Sequence, residues 1–425
     1  MGLHSSRYAA MSTPASAGSP AFRRINRAML CAGFSGFALL YCVQPLMPEL
    51  ALRFHLTPAQ SSWSLSVSTL ALALSLLLCG ALSDRIGRKN VMAAALVLAA
   101  VFTALSALAR SYPELLVLRA LAGFALGGMP AVAMAYLSEE INPTSLGYSM
   151  GIYIGGTALG GTFGRVASSV ISDYYSWRWA MAVMGAAGLY AAWEFWRSLP
   201  PSQNFKAGQP GWRALANGAG NHLRDPGLRT LFIFGLLVMG VFVSVYNYIS
   251  YRLLAEPIAL SQSAVGSLSL LYLTGIASAA WAGRLADRIG RRHVLWMAAS
   301  LMFAGLLLTL SSALALVIAG VALLTFGFFA SHSVAASWVG RRARAPQALA
   351  SALYLFFYYA GSSVLGSLCG LVWSAAGWRG VVALLALALG LAVALALRLR
   401  TLVPLDAPAT PLAFTSVGTG ARTVS

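Results

Sequence analysis

The chain writes one short motif twice. Gly80, Leu82, Asp84, Arg85, Gly87 and Arg88 recur 203 residues later as Gly283, Leu285, Asp287, Arg288, Gly290 and Arg291, and each copy separates two long apolar runs. The same offset carries Ser64-Leu65-Ser66 onto Ser267-Leu268-Ser269 without a gap. A chain built this way is a duplicated unit, so its fold has to set two equivalent halves side by side.

The solvent of that fold is lipid. With 59% hydrophobic and 9% charged residues and a mean hydropathy of +0.74, 425 residues carry too little polar surface to wrap a soluble core. Backbone groups in hydrocarbon must pair within their own segment, which predicts an all-α bundle. Apolar runs of roughly twenty residues lie near 27–48, 61–82, 91–109, 114–138, 146–171 and 177–198, then 229–253, 264–285, 293–312, 314–338, 347–373 and 379–398. The predicted organisation is a disordered N-terminal tail (1–22), a six-helix half (23–198), a cytoplasmic linker (199–228), a second six-helix half (229–400) and a C-terminal tail (401–425).

The net charge of +18 sits in short loops and not along an aromatic-interleaved face, which argues against nucleic acid as a partner. With both termini inside, twenty of the 29 Lys and Arg fall in cytoplasmic segments and five on the opposite side. Cys31, Cys42, Cys79 and Cys369 lie in apolar runs without metal-ligand spacing, and no phosphate-binding GxxxxGK[ST] loop is present. The expectation is no metal and no cofactor.

The repeat continues in the fifth and eleventh spans, where Tyr148, Tyr153, Gly155, Gly160 and Gly164 map at an offset of 206 onto Tyr354, Tyr359, Gly361, Gly366 and Gly370. Trp177-Arg178 and Trp378-Arg379 then open the sixth and twelfth spans. Within the fifth span, glycines step by four along two tracks, Gly147, Gly151, Gly155 and Gly156, Gly160, Gly164, which predicts close helix packing.

The repeated loop, the hydropathy and the twelve-span topology together resemble the major facilitator superfamily over residues 23–400. Tyr41-Cys-Val-Gln44-Pro45-Leu-Met-Pro48-Glu49 resembles the first-span signature of its arabinose-efflux and acriflavine-sensitivity type permeases. The resemblance implies a secondary transporter, in which the loop residues Gly80, Asp84, Arg85, Gly87, Arg88, Gly283, Asp287, Arg288, Gly290 and Arg291 gate the switch between states. Asp84 is expected to face a neighbouring helix N-terminus. The glycine-rich fifth span is similar to a motif of proton-coupled antiporters, with Gly156 where that motif has proline; plain packing explains the glycines equally well. Arg119 and the glycines after it resemble a basic fourth-span motif linked to proton transfer or substrate contact, with Ala122 where that motif has glutamine.

Read by their own chemistry, Arg119 and Arg165 are guanidiniums at a depth where charge is costly. Gln44, Glu49 or backbone carbonyls of the first span are the expected partners of Arg119, as a functional group or as an interhelical hydrogen-bond hub. Gln44 maps at 203 onto Asn247, so two amides stand at equivalent depth in spans one and seven. Tyr41, with Tyr246, Tyr248 and Tyr251, adds aromatic surface. None of the eleven acids falls near the middle of a span, which argues for a neutral or anionic small solute over a cation. Glu49 and, second, His332 are the candidate proton carriers. The expected function is alternating-access, proton-coupled efflux by a protein sufficient as a monomer; uptake or facilitated diffusion is the alternative. The five scattered histidines give an enzyme no catalytic cluster, and the short linker and tails leave a non-transporting receptor little support.

Overall fold

The computed structural model describes residues 14–204, 212–343 and 347–401; the surroundings of Gly80 and the side chain of Asp84, with its expected helix contact, lie outside the described residues. The chain is helical throughout. Span one combines Pro20–Tyr41, a 3₁₀ turn Gln44–Leu46 and Met47–Phe54; span two is Pro58–Ile86 and span three Arg88–Ser106. Span four is Tyr112–Leu126 with Pro130–Glu140, span five Pro143–Tyr174 and span six Trp177–Ser198. A linker helix, Trp212–Arg224, precedes span seven, Pro226–Leu254. Span eight runs through Gln262–Ser267, a 3₁₀ turn Leu268–Leu271 and Tyr272–Ile289; spans nine and ten are Arg291–Leu308 and Leu314–Arg342.

Spans eleven and twelve are one helical stretch, Gln347–Leu399, bent at Gly377 (φ 58°, ψ −154°). At about 1.5 Å per residue such a stretch is more than twice the roughly 30 Å of a bilayer core, so it crosses twice. Seven of the described helical stretches are long and apolar enough to cross a membrane, this one included.

Four spans begin with a polar cap followed by proline: Ser19-Pro20, Thr57-Pro58, Asn142-Pro143 and Asp225-Pro226. In each the cap side chain accepts a backbone N–H that the first turn leaves unpaired, and the proline has no N–H to lose. Proline also explains two breaks absent from the predicted spans. Pro45 interrupts span one after Tyr41, and Pro130, preceded by Gly127 and Gly128, divides span four.

Two boundaries differ from expectation. Helix begins at Pro20, and Ala15 is already placed, donating to the Glu140 carbonyl (2.8 Å) and accepting from the Asn142 N–H (3.1 Å), so the N-terminal segment is ordered before residue 22. The linker is partly fixed as well. Glu140 accepts from the backbone N–H groups of Gln203 (2.6 Å) and Asn204 (2.9 Å), holding the start of the linker to the first half. Asp225 accepts from Arg342 (2.7 and 3.0 Å) and from the Leu228 N–H (2.7 Å), holding its end to the second. Partial burial pushes the Asp225 carboxyl up, but the Arg342 and Leu228 hydrogen bonds outweigh it and hold its pKa below the ordinary carboxylate value.

Close backbone approach sets the helix pairs. A Cβ on Gly160 would stand 1.9 Å from the Phe34 carbonyl oxygen, and Gly156 and Gly164 press equally on Leu30 and Ala38, so span five lies directly on span one. Gly361 meets the Leu236 carbonyl in the same way, seating span eleven on span seven. The second track behaves differently from expectation. Gly147, Gly151 and Gly155 face open space, with nothing within 4 Å of an added Cβ.

Candidate functional site

The break in span one creates the need that Arg119 meets. When the helix ends at Tyr41, carbonyls of its last turn lose their partners. Arg119, fully buried, donates to the carbonyls of Leu39 (3.1 Å) and Leu40 (2.6 Å). Of the partners expected for it, backbone carbonyls are the ones used, and neither Gln44 nor Glu49 is. Arg119 is therefore held as an interhelical hub.

Gln44, on the turn that follows, joins the two halves. Arg165 Nε donates to Gln44 Oε1 (2.5 Å), and Gln44 Nε2 donates to Asn247 Oδ1 (2.6 Å) and to the Val243 carbonyl (3.3 Å). The two amides related by the 203 offset thus touch. Their orientation follows from chemistry: a guanidinium only donates, so Gln44 must turn its oxygen to Arg165 and its nitrogen to Asn247. Asn247 is left with an Nδ2 that has no partner. Arg165 also donates to the Gly161 carbonyl (2.7 Å), and the rings of Tyr41 and Tyr272 cover its guanidinium at 4.1 and 4.5 Å. Among the described residues no carboxylate forms an ion pair with Arg165 or Arg119.

Glu49 lies elsewhere. Its carboxylate accepts from Ser172 and from the Trp177 N–H (3.1 Å), capping the helix of span six. His332 sits on the other side of the aromatic core, bonded through Nδ1 to Tyr354 Oη (3.0 Å) and packed on Tyr358 at 4.6 Å. Between His332 and Arg165 runs a row of rings: Tyr272, Phe242 at 5.1 Å from it, Phe328 stacked on Phe242 at 3.7 Å, then His332 at 6.1 Å. Tyr272 and Phe242 were not among the residues singled out from the sequence. The usable signal was the four-residue spacing of Phe242 with Tyr246 and of Phe328 with His332; Tyr272 had none. Of the tyrosines of span seven, Tyr246 pairs with Thr325 (2.9 Å), Tyr248 donates to the Gly366 carbonyl (2.6 Å) and Tyr251 bonds Ser61 (2.5 Å). All three serve interior contacts.

The hydrogen bonds that join the halves lie between mid-span and one end of the bundle. Besides Gln44 with Asn247 and Ser61 with Tyr251, they include Thr69 with Ser363 (2.8 Å), Ser169 with the Gln262 carbonyl (2.5 Å), Asp173 with Ser263 (2.5 Å) and Gln262 with the Pro45 carbonyl. The repeated loops lie at the opposite end. Both turn on a glycine in the left-handed region, Gly87 (φ 92°, ψ 145°) and Gly290 (φ 89°, ψ 142°), a conformation that side chains resist. Past the turns they diverge. Arg88 forms a bidentate pair with Glu139 of span four (2.8 and 3.3 Å), whereas Arg291 reaches only Asp287 of its own loop (3.3 Å) and Ser337 (3.2 Å). Arg85 and Arg288 are exposed, and Gly283 faces open space.

Comparison with known proteins decides the family. The family model described as Major Facilitator Superfamily matches residues 29–253 and again residues 245–419. The chain belongs to the major facilitator superfamily. It is similar to the uncharacterized MFS-type transporter YybF of Bacillus subtilis (47% identity, covering 87% of this chain and 91% of YybF). It is also similar to the inner membrane transport protein YnfM of Escherichia coli (48% identity, 87% and 89%). The fold matches a bacterial homologue of the lysosomal transporter Spinster in an inward-facing, unoccupied conformation (TM-score 0.74, 16% identity, 90% of this chain and 98% of that one). It matches the nucleoside transporter NupG as well (TM-score 0.73, 15% identity, 88% and 99%). The protein is therefore a multi-pass membrane transporter of the major facilitator superfamily and not an enzyme.

Proposed function

We propose that this transporter exports a small neutral or anionic organic solute across the cytoplasmic membrane in exchange for protons, its halves rocking about the junction of Arg165, Gln44 and Asn247. The carrying observation is the buried Arg165 guanidinium at the seam between halves, with no carboxylate paired to it among the described residues. A site of that kind repels cations and receives acceptors. With the basic loops on the cytoplasmic side, the hydrogen bonds between the halves on the far side support a site closed to the outside. The gate on this reading is the repeated loop, with Gly80, Asp84, Arg85, Gly87 and Arg88 in the first half and Gly283, Asp287, Arg288, Gly290 and Arg291 in the second. Gly151 and Gly155 are the surface on which the cytoplasmic end closes. Because Glu49 is committed to Ser172 and Trp177, His332 is the better proton carrier.

Charge balance supports a second reading, uptake by proton symport: an anion and a proton moving together neutralise one another, a balance that exchange lacks. The test follows pH in energised inside-out vesicles while cationic, neutral and anionic solutes are added. Collapse of the gradient by anionic or neutral solutes, absent in Arg165→Ala, is the result expected for export. No response, with proton-driven accumulation in right-side-out vesicles, replaces export by symport.

A further inference from the structure

We propose that the solute is an aromatic monocarboxylate, its carboxylate on the edge of Arg165 and its ring against the aromatic row of the second half; this rests on the transporter reading above. Among the described residues, polar groups around the junction are left unused, and those nearest Arg165 can donate. Asn247 Nδ2 and Tyr272 Oη are buried without a partner, and Arg165 Nη2 makes no hydrogen bond among the described residues. Buried donors left unmatched cost free energy that an acceptor recovers. A set of donors facing no acid calls for a ligand rich in acceptors and negative in charge.

The rings narrow the class further. Tyr41 and Tyr272 occupy the two neighbourhoods over the guanidinium, so a ligand meets Arg165 at its edge, where a planar carboxylate is received by in-plane N–H groups. Tyr272 then continues into Phe242, Phe329 and Phe328, with centroids 5.1, 5.9 and 5.1 Å apart along the series Tyr272–Phe242, Tyr272–Phe329 and Phe329–Phe328. Flat rings at these spacings take another flat ring in offset or edge contact. His332, at the end of the row in the middle of span ten, is half-buried. The cation comes from span five of the first half and the rings from spans seven, eight and ten of the second. A ligand with a carboxylate at one end and a ring at the other therefore spans the seam, and a solute lacking either end holds only one half.

The test measures binding to the purified full-length protein in nanodiscs, using benzoate, benzamide, cyclohexanecarboxylate and benzylammonium. Benzoate is expected to bind saturably and at least tenfold more tightly than the other three. Arg165→Lys should weaken benzoate tenfold or more. Tyr272→Phe removes only an unpartnered hydroxyl; it should leave the melting temperature unchanged or raised while weakening benzoate several-fold, which a purely structural role would not do. Benzamide or cyclohexanecarboxylate matching benzoate, or Tyr272→Phe and Arg165→Lys leaving benzoate unaffected, overturns the assignment, as does absence of benzoate binding. The same protein in proteoliposomes separates the two readings. If it moves some other solute class, transport stands and the aromatic-acid assignment falls; if benzoate binds but no solute is moved, the assignment stands and transport falls.

Discussion

Arg119 and Arg165 carry the same charge at similar depth and do opposite work. Arg119 spends its donors on two carbonyls freed by the break in span one, so its removal leaves buried acceptors unmatched. Arg119→Ala is expected to destabilise the folded protein by about 3 kcal/mol or more, read as a lowered melting temperature in detergent whether or not solute is present. Arg165 keeps part of its capacity unspent, which fits the ligand-binding role proposed for it. A third charged residue sets a pH response. The folded-state pKa of Asp225 is depressed, so its contribution to stability is present above the unfolded value of about 3.9 and is lost as pH falls through the lower folded value. The difference in melting temperature between the protein and Asp225→Asn should hold steady from neutral pH to about pH 5 and shrink only below about pH 4. The amide pair was legible in the sequence because the repeat put Gln44 and Asn247 in register. For Arg119 the sequence offered the carbonyls of span one beside Gln44 and Glu49, and the carbonyls are the partners found; the partners of Glu49 were not legible, because a helix N-terminus is a backbone feature that side-chain patterns do not announce.

At the scale of elements, the fifth span shows how one helix carries two jobs. Gly160 touches the backbone of span one, and Gly151, on the neighbouring track, touches nothing. Gly160→Ala is expected to force spans one and five apart and cost about 2–3 kcal/mol, whereas Gly151→Ala should match or exceed the parent in thermal stability, as helix propensity favours alanine. Equal losses from both would show that the second track is packed as tightly as the first. The two tracks were visible as a four-residue rhythm, but the rhythm is the same for both, so only the folded neighbours tell a glued face from a free one. Breaks were the harder feature: hydropathy runs straight through Pro45 and Pro130, since one missing N–H hardly changes the average of an apolar window.

Across the whole molecule, the hydrogen bonds that join the halves lie away from the repeated loops, and Thr69 and Ser363 hold each other near mid-span at 2.8 Å. A disulfide between Thr69→Cys and Ser363→Cys should clamp the halves there. Transport in proteoliposomes is expected to fall at least tenfold on oxidation and to return with reductant; undiminished transport in the oxidised protein would show that the halves do not have to part there. The twelve-span, two-half architecture was legible because duplication and lipid leave few alternatives, whereas which end is closed is a property of one state and no residue pattern encodes it.

The pinning of the linker has a mechanical meaning. Glu140 fastens the chain to the first half as far as Asn204, and the helix Trp212–Arg224 packs on spans seven and eleven to twelve and so rides with the second half. From Asn204 to Trp212 the sequence runs eight Cα steps, which span at most about 29 Å. A connection of that length sets a ceiling on how far the halves can part: contacts between the lobes can break, yet neither lobe can be lost from the other.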